Sequence, residues 1–467
     1  MSFRMHVAGR WRPSRLRSPM PTSATTSCST TWSRASFSWS GRRCGLLAAM
    51  SDRHSAPDHT RLRIVVHDFS GHPGQIQLSR ELARRGHRVQ HQYCASFTTG
   101  QGATTRRETD PPTFSIRGIS LGSDFARYAP LRRLIQEVRY GWSAIRAMLS
   151  ERPDVAVLSN LPMIPLAMAS WALTSRGVPY VFWWQDVYSD AIGTVARRRL
   201  GRAGEPVAWL ADRIERGCAR RSAAIVPITD AFVDQLKAWR ISPDKATVIP
   251  NWGALDEVGP RPRTNPWAAA QGLDNVRVVM YAGTLGLKHD PSVLADLARR
   301  APEDCRVVVV SQGLGRQWLE EHCGDNPKLM LMDFQPYEQL PDMLGSADVL
   351  VAVLEKDASR YSVPSKVLNY LCAGRPVLAL LPAENAVAEI IESAGAGIVI
   401  PPGDGAKASE ALGRLLSDGD LRAAMAANAR DYATRVFDVT SIGDSFENVV
   451  REAAAGHTRD KLTPATR

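Results

Sequence analysis

Two lysines carry the most chemistry in this sequence. The chain has eight lysines against 50 arginines, and none precedes Lys237. Lys366 follows Pro364 and Ser365 at the head of a run in which Val367, Leu368, Leu371 and Cys372 recur at helical spacing, until Gly374 and Pro376 stop it. Proline at the first helical position sacrifices no hydrogen bond, so the pattern predicts a short helix beginning at Pro364 and leading into a buried strand from Val377. Lys288 closes the loop Gly283-Thr284-Leu285-Gly286-Leu287-Lys288, between a strand-like run at 277–282 and the helix start Asp290-Pro291. The free amides of a helix N-terminus, the amides of a glycine loop and a nearby ammonium all suit a phosphate. The bland alternative at either place is a capped helix beside a solvated lysine. Two of only eight lysines at such loops weigh toward the phosphate.

Further candidates lie at the ends of other strand-like runs. The run 178–184 ends in Gln185-Asp186, and polar residues just past a strand's carboxyl end mark the ligand crevice of open α/β sheets. Asp186 there can act as a base, orient a hydroxyl, or simply cap the next helix. The run 62–68 enters Ser70-Gly71-His72-Pro73-Gly74 and then a helix over 76–85, ended by Gly86. That is a strand, a glycine turn and a helix without the G-x-G-x-x-G of dinucleotide sites.

These residues need elements to position them. Strands are expected at 62–68, 153–158, 178–184 and 223–228, with a helix from a Thr229-Asp230 cap to Trp239. A stretch rich in Gly, Pro and Asn over 252–272 reads as a linker. The pattern then restarts with strands at 277–282, 306–310, 329–334, 348–354 and 397–401, and Gln312, Phe334 and Gln335 sit in the loops that follow them. Strands alternating with helices place the chain in the α/β class, with two successive doubly wound domains. Segments 98–112 and 197–202 read as a mobile polar loop and a flexible basic one. Over 131–149 a long helix is expected, with Leu131, Leu134, Ile135, Val138, Trp142, Ile145 and Leu149 on one face and Arg132, Arg133, Arg139 and Arg146 on others. Its apolar face is expected in the core, with attachment to an anionic membrane surface as the alternative.

Composition excludes some classes. A net charge of +11 suggests nucleic acid, but residues 1–49 hold eight arginines and no acidic residue, so the remainder carries only +3. Residues 1–60 are expected to be a disordered basic segment, with Met50 the true start. The longest apolar stretch, 161–173, contains two prolines and falls short of the ~20 residues of a membrane span. Seven cysteines without a C-x-x-C pair suggest neither a zinc site nor a redox motif and fit reduced thiols in the cytoplasm.

Gln185 to Asp190, Pro250-Asn251-Trp252, Tyr281 to Lys288 and Ser362 to Pro376 together resemble the retaining glycosyltransferases of family 4, of GT-B fold. The nearest type makes capsule, O-antigen and colanic-acid polysaccharides and includes fucosamine transferases. The resemblance covers roughly 62–452 and implies two Rossmann-like domains facing each other across a cleft. An acceptor-binding domain would span 61–254 and a nucleotide-sugar domain 255–432. A helix over 433–455 would pack back on the first domain, ahead of a tail at 456–467. It implies transfer of a hexosyl or N-acetylhexosaminyl group from a nucleotide-diphosphate sugar to a glycan or lipid-linked acceptor, without cofactor or metal. The protein would be cytoplasmic, with peripheral inner-membrane contact and no nucleic-acid partner. Asp186, Lys288 and Lys366 would be catalytic. Gly74, Gly283, Thr284, Gly286, Gln312, Phe334, Gln335, Ser365 and Asn369 would bind the donor. Two departures stand out: Thr284 replaces the family's arginine, and Tyr361 and Asn369 replace its two glutamates. They motivate one alternative, a non-catalytic nucleotide-sugar-binding protein; a GT-B sugar-nucleotide epimerase is another.

Overall fold

A computed structural model describes residues 61–97, 101–123, 130–286, 289–355 and 363–462. The expected N-terminal segment, Lys288 and Tyr361 lie outside them. The first half runs β1 (Arg63–Asp68), α1 (Pro73–Arg84), β2 (Arg88–Cys94), β3 (Phe114–Ile119), α2 (Pro130–Ser150), β4 (Val155–Ser159), α3 (Met163–Ser175), β5 (Tyr180–Trp184), α4 (Tyr188–Leu200), α5 (Glu205–Arg221), β6 (Ala224–Pro227) and α6 (Ala231–Ala238). The second runs α7 (Pro266–Ala270), β7 (Arg277–Ala282), α8 (Ser292–Arg300), β8 (Cys305–Val310), α9 (Leu314–Cys323), β9 (Leu329–Met332), α10 (Leu340–Gly345), β10 (Val349–Val353), α11 (Ser365–Cys372), β11 (Val377–Leu380), α12 (Ala386–Ser393) and β12 (Gly397–Ile400). Three helices close the chain: α13 (Gly405–Ser417), α14 (Gly419–Val436) and α15 (Val439–Leu462).

Each half builds a six-stranded sheet, in order β3-β2-β1-β4-β5-β6 and β12-β11-β10-β7-β8-β9. Every pairing is parallel. The central strands are buried along their whole length, Val155–Ser159 and Tyr180–Trp184 among them, because helices cover both faces. The two orders are the same topology. Each reverses direction once, between β1 and β4 in the first sheet and between β7 and β10 in the second. Ligand crevices open at such reversals, beyond the strands' carboxyl ends.

The helix α15 returns to the first domain. Phe446 is fully buried, 4.5 Å from the Trp183 ring and 6.2 Å from Trp252. Arg85 pairs with Asp444 and Glu447, and His87 with Glu447. One buried cluster runs from the first sheet through Trp252, Ala254 and Val258 to Leu368 and Leu371.

Several local expectations change in three dimensions. Residues 197–200 continue α4, and 201–204 form a 3-10 turn rather than a flexible loop. The helix α6 starts after Asp230, which makes no side-chain cap. Pro364 is the N-cap, one residue before the helix it was expected to begin. The strand β3 and helices α3 and α5 are additions to the expected elements; of the two helices only α3 lacks an apolar period. Residues 101–110 are tied down by Arg80, whose Nε donates to Asp110 at 2.8 Å while Nη2 donates to the Ala103 and Thr105 carbonyls. The largest change is in α2. Its inward face is Tyr140, Ala144, Ile145, Ala147 and Met148; of the expected stripe Ile145 is buried and Leu149 partly buried, whereas Leu134, Ile135, Val138 and Trp142 are exposed. Close packing on α3 selects the small face: a Cβ on Gly141 would lie 2.7 Å from the Met168 sulfur.

Truncating the aromatic that holds α15 leaves a cavity between two indoles. Phe446→Ala should lower the unfolding free energy by about 3–5 kcal/mol, read from urea denaturation followed by tryptophan fluorescence. A loss below about 1 kcal/mol would show that α15 is not a clamp.

Candidate active site

The two crevices face each other. The first is followed by α1 and the second by α11, and their N-termini meet where His72 Nε2 lies 3.0 Å from Ser365 Oγ. Between them is a cavity of about 610 Å³. His72, Pro73 and residues 101–105 line one side. Gly283, Thr284, His289, Phe334, Gln335, Tyr337, Ser365, Lys366 and Asn369 line the other. Two helix N-termini aimed at one space favour an anion there.

Lys366 sits on the first turn of α11, whose apolar face (Val367, Leu368, Leu371, Cys372) is buried. Its ammonium lies 4.1 Å over the Tyr281 ring and donates to the Tyr281 hydroxyl. That hydroxyl donates in turn to the Thr284 carbonyl at 3.0 Å. The side chain keeps some solvent contact, yet burial pulls its pKa from the usual lysine value down to about 7. Gly283 has φ +143°, and a Cβ there would press 3.1 Å from Lys366 Cε, so the loop needs glycine for both reasons. The loop is fixed by Leu285 N–H, which donates to Ser311 Oγ and the Gln312 carbonyl, both at 3.1 Å.

On the opposite wall, Asp68 at the end of β1 accepts from Asn160 Nδ2 at 2.8 Å and from the His72 amide at 2.5 Å. Burial raises Asp68 to about 6 and lowers His72 to about 4, so the imidazole is neutral at pH 7. The strap 101–105 is held by buried Arg80 and by Gly102 N–H, which donates to the Gly71 carbonyl at 2.9 Å.

The cavity gathers Gly283, Thr284, Phe334, Gln335, Ser365, Lys366 and Asn369. Asn369 also accepts the Ala254 amide at 3.2 Å, so it clips the interdomain linker as well. Gln335 accepts from Trp267 Nε1 at 3.3 Å. Other candidates sit behind this lining. Gly74 packs under the Trp252 ring, Gln312 contributes its carbonyl to the glycine loop, and the Gly286 amide donates to His289 Nδ1. Asp186 lies past β5, where its charge acts on buried Tyr188. It is not the cap of α4: Glu215 from α5 takes the Tyr188 and Ser189 amides at 3.1 and 2.8 Å. Sequence reasoning marked the Gly71–Gly74 turn without singling out His72, and missed the strap and Tyr337. Only His72 carried a signal, a titratable residue inside the first glycine turn.

Two Rossmann-like domains around such a cleft define the GT-B fold. Residues 76–252 match the glycosyl transferase 4-like domain, and residues 266–432 match the glycosyl transferases group 1. Together the two matches span most of the chain, which belongs to the family 4 glycosyltransferases. It is 27% identical over 262 residues to the alpha-D-kanosaminyltransferase of Streptomyces kanamyceticus, covering 54% of this chain and 65% of that one, just under two thirds of the relative's length. It is 23% identical over 332 residues to an Escherichia coli (strain K12) protein named as a colanic acid biosynthesis glycosyl transferase, WcaI, covering 69% of this chain and 80% of that one. Among solved structures, Anabaena HepE in complex with UDP and glucose superposes with a TM-score of 0.60 at 16% identity, over 84% of this chain and 99% of that chain. WaaG, a glycosyltransferase involved in lipopolysaccharide biosynthesis, gives 0.57 at 17%, over 83% and 99%. The two structures share the fold.

A methyl group at Gly283 meets both a disfavoured backbone angle and the Lys366 stem. Gly283→Ala should destabilise the protein by about 1–3 kcal/mol, read as a lowered melting temperature.

Proposed function

We propose that this protein is a retaining transferase that moves a hexosyl or N-acetylhexosaminyl group from a nucleotide-diphosphate sugar to a glycan or lipid-linked acceptor in cell-surface polysaccharide biosynthesis. It works in the cytoplasm, touching the inner face of the membrane peripherally. The observation that carries this reading is the placement of Ser365 and Lys366 on a helix N-terminus facing the N-terminus of α1 across the 610 Å³ cleft. The relatives' names and the UDP held by a structure of the same fold support it.

The bond between the anomeric carbon and the β-phosphate oxygen breaks, and its electron pair stays on the phosphate. Lys366, the α11 amides and Lys288 stabilise that growing charge, in place of a metal ion. The acceptor oxygen bonds to the anomeric carbon on the face the phosphate leaves, and its proton passes to the departing diphosphate. Asp186 orients the acceptor. Thr284 and Asn369 contact the donor with neutral hydrogen-bonding groups, and Phe334 and Gln335 flank the nucleobase. Domain closure excludes water from the donor.

A thermal-shift screen against UDP-, GDP-, dTDP- and ADP-sugars should show stabilisation by one nucleotide class, lost in Lys366→Ala and Lys288→Ala. Lys366→Ala should lower kcat by about 10²–10³. Added EDTA should leave turnover unchanged, and NMR of the product should show the donor's anomeric configuration. No turnover with any donor, despite binding, would make the protein a non-catalytic nucleotide-sugar binder.

The low pKa of Lys366 adds a pH signature. Above pH 7 the free ammonium loses its proton, and a diphosphate must restore it on binding. Nucleotide affinity should therefore fall with rising pH from about 7 upward, by as much as about tenfold per unit. Titration calorimetry of the unaltered protein at several pH values above about 7 checks this; a flat profile would mean that the ammonium stays protonated without ligand.

A further inference from the structure

The strap 101–105, in the connection from β2 to β3, runs along the cleft between its two ends. At one end Gly102 lies against the start of α1, and a Cβ on it would stand 2.8 Å from Pro73 Cα. That is the end where the N-termini of α1 and α11 meet. At the other end Arg107 Nη2 lies 2.9 Å from Glu257 Oε2, on the interdomain linker. The Tyr337 hydroxyl of the second domain is buried beside the same carboxylate; burial and that charge push it well above the usual phenol range. Glu257 therefore ties the strap to the connection from β9 to α10, which brings Phe334, Gln335 and Tyr337 to the cavity.

The strap is also anchored from behind. One oxygen of Asp110 takes Arg80 Nε and the other takes the Arg107 amide, both at 2.8 Å. The Arg80 and Asp110 side chains are each only 2% exposed. A buried ion pair adds little net stability over apolar packing, so what this one supplies is position. Loops mounted on a rigid scaffold are where binding residues are commonly found. The two ends of the cavity differ in chemistry. Helix amides and Lys366 gather at one, where an anion fits. Phe334 and Tyr337 bring aromatic rings to the other and Gln335 an amide, while Thr104 and Thr105 line the facing wall. Rings and neutral polar groups suit a flat heterocycle with a hydrogen-bonding edge.

We propose that the strap is the first domain's half of the nucleobase site: Thr104 and Thr105 hydrogen-bond the edge of a base held at Phe334 and Tyr337, and the Arg107–Glu257 pair positions them. A hydroxyl donates or accepts, so two of them can match the donor and acceptor pattern that tells one base from another. The placement does not favour the sugar acceptor as occupant, because Asp186 lies past β5, across β1 and β4 from the β2–β3 connection. Base choice is thereby shared between the domains, and only the closed pair of them reads it. The inference rests on the nucleotide-sugar reading above and deepens it by naming the residues that select the base.

The test is titration calorimetry of the full chain with UDP, GDP, dTDP and ADP, which share a ribosyl diphosphate and differ in the base. The unaltered protein should prefer one of the four. The double variant Thr104→Ala, Thr105→Ala should shrink that preference by at least about tenfold. Arg107→Gln should do the same, and Arg107→Lys, which keeps the ion pair, should restore most of it. All three variants should keep the melting temperature of the unaltered protein in the absence of nucleotide. A preference unchanged in the threonine variant overturns the inference, even if all four affinities fall together, because the strap would then support the phosphates or the fold and not the base. Equal affinity for all four in the unaltered protein overturns it as well. In both cases the donor reading stands. Failure of Arg107→Lys to restore the preference overturns the role given to the ion pair. No binding of any of the four by the unaltered protein sinks the donor reading, and this inference with it.

Discussion

The interdomain linker presses on α11 more closely than any side chain would allow. A Cβ on Gly253 would stand 2.5 Å from both the Cys372 sulfur and the Leu368 carbonyl oxygen. Beside it, Asn369 takes the Ala254 amide, and Arg430 donates to the Cys372 and Val258 carbonyls at 2.8 and 3.3 Å. The linker's other end is stacked into the first domain, where the Trp252 ring lies 5.7 Å from Trp183 and its Nε1 donates to Gln77 at 3.3 Å. The helix that carries Ser365 and Lys366 is thus fixed to the domain it must face. That contact holds the two crevices face to face.

At neutral pH burial leaves His72 uncharged and Lys366, at about 7, near half-protonated, while Asp68, raised only to about 6, is mostly ionised. The backbone dipoles of two helices and a lysine able to take up a proton suit an anion. Tyr281 keeps the Lys366 ammonium in place through ring and hydroxyl, with the hydroxyl anchored to the glycine loop. Loop, helix and base of the second sheet therefore act as one rigid unit.

The first sheet divides its two faces between different tasks. On one, α1 and α15 interlock through Arg85, Glu447 and buried Phe446, which binds the end of the chain back to its beginning. On the other, the α2–α5 layer spends its small residues on helix–helix contact and leaves tryptophans and arginines outside. Both follow from one packing rule: close approach selects glycine and alanine, so bulky residues must find either a roomier core or the surface.

Much of the scaffold was legible in the sequence. Strand runs such as 277–282 and 306–310 and the Gly374 stop of α11 (φ +59°) follow from local rules of periodicity and backbone geometry. So did the gathering of Gly283, Thr284, Phe334, Gln335, Ser365, Lys366 and Asn369, once the family resemblance had aligned them. The role of His72 was not legible, because its partner Ser365 is 293 residues away. Nor was Glu215 as the cap of α4, or Arg80 as the anchor of the strap, since each acts on a segment that only the sheet brings near. The apolar stripe of α2 was legible only in part: Ile145 is buried and Leu149 partly so, whereas Leu134, Ile135, Val138 and Trp142 are exposed. Periodicity shows that a helix has an apolar face, but which face turns inward depends on the neighbour it meets. Here Met168 of α3 required the side bearing Gly141. Sequence alone determined which residues could form helices, strands and glycine turns, because those preferences are local. Tertiary structure decided which surfaces are buried and which side chains meet, because burial and contact belong to pairs of elements and not to any one of them.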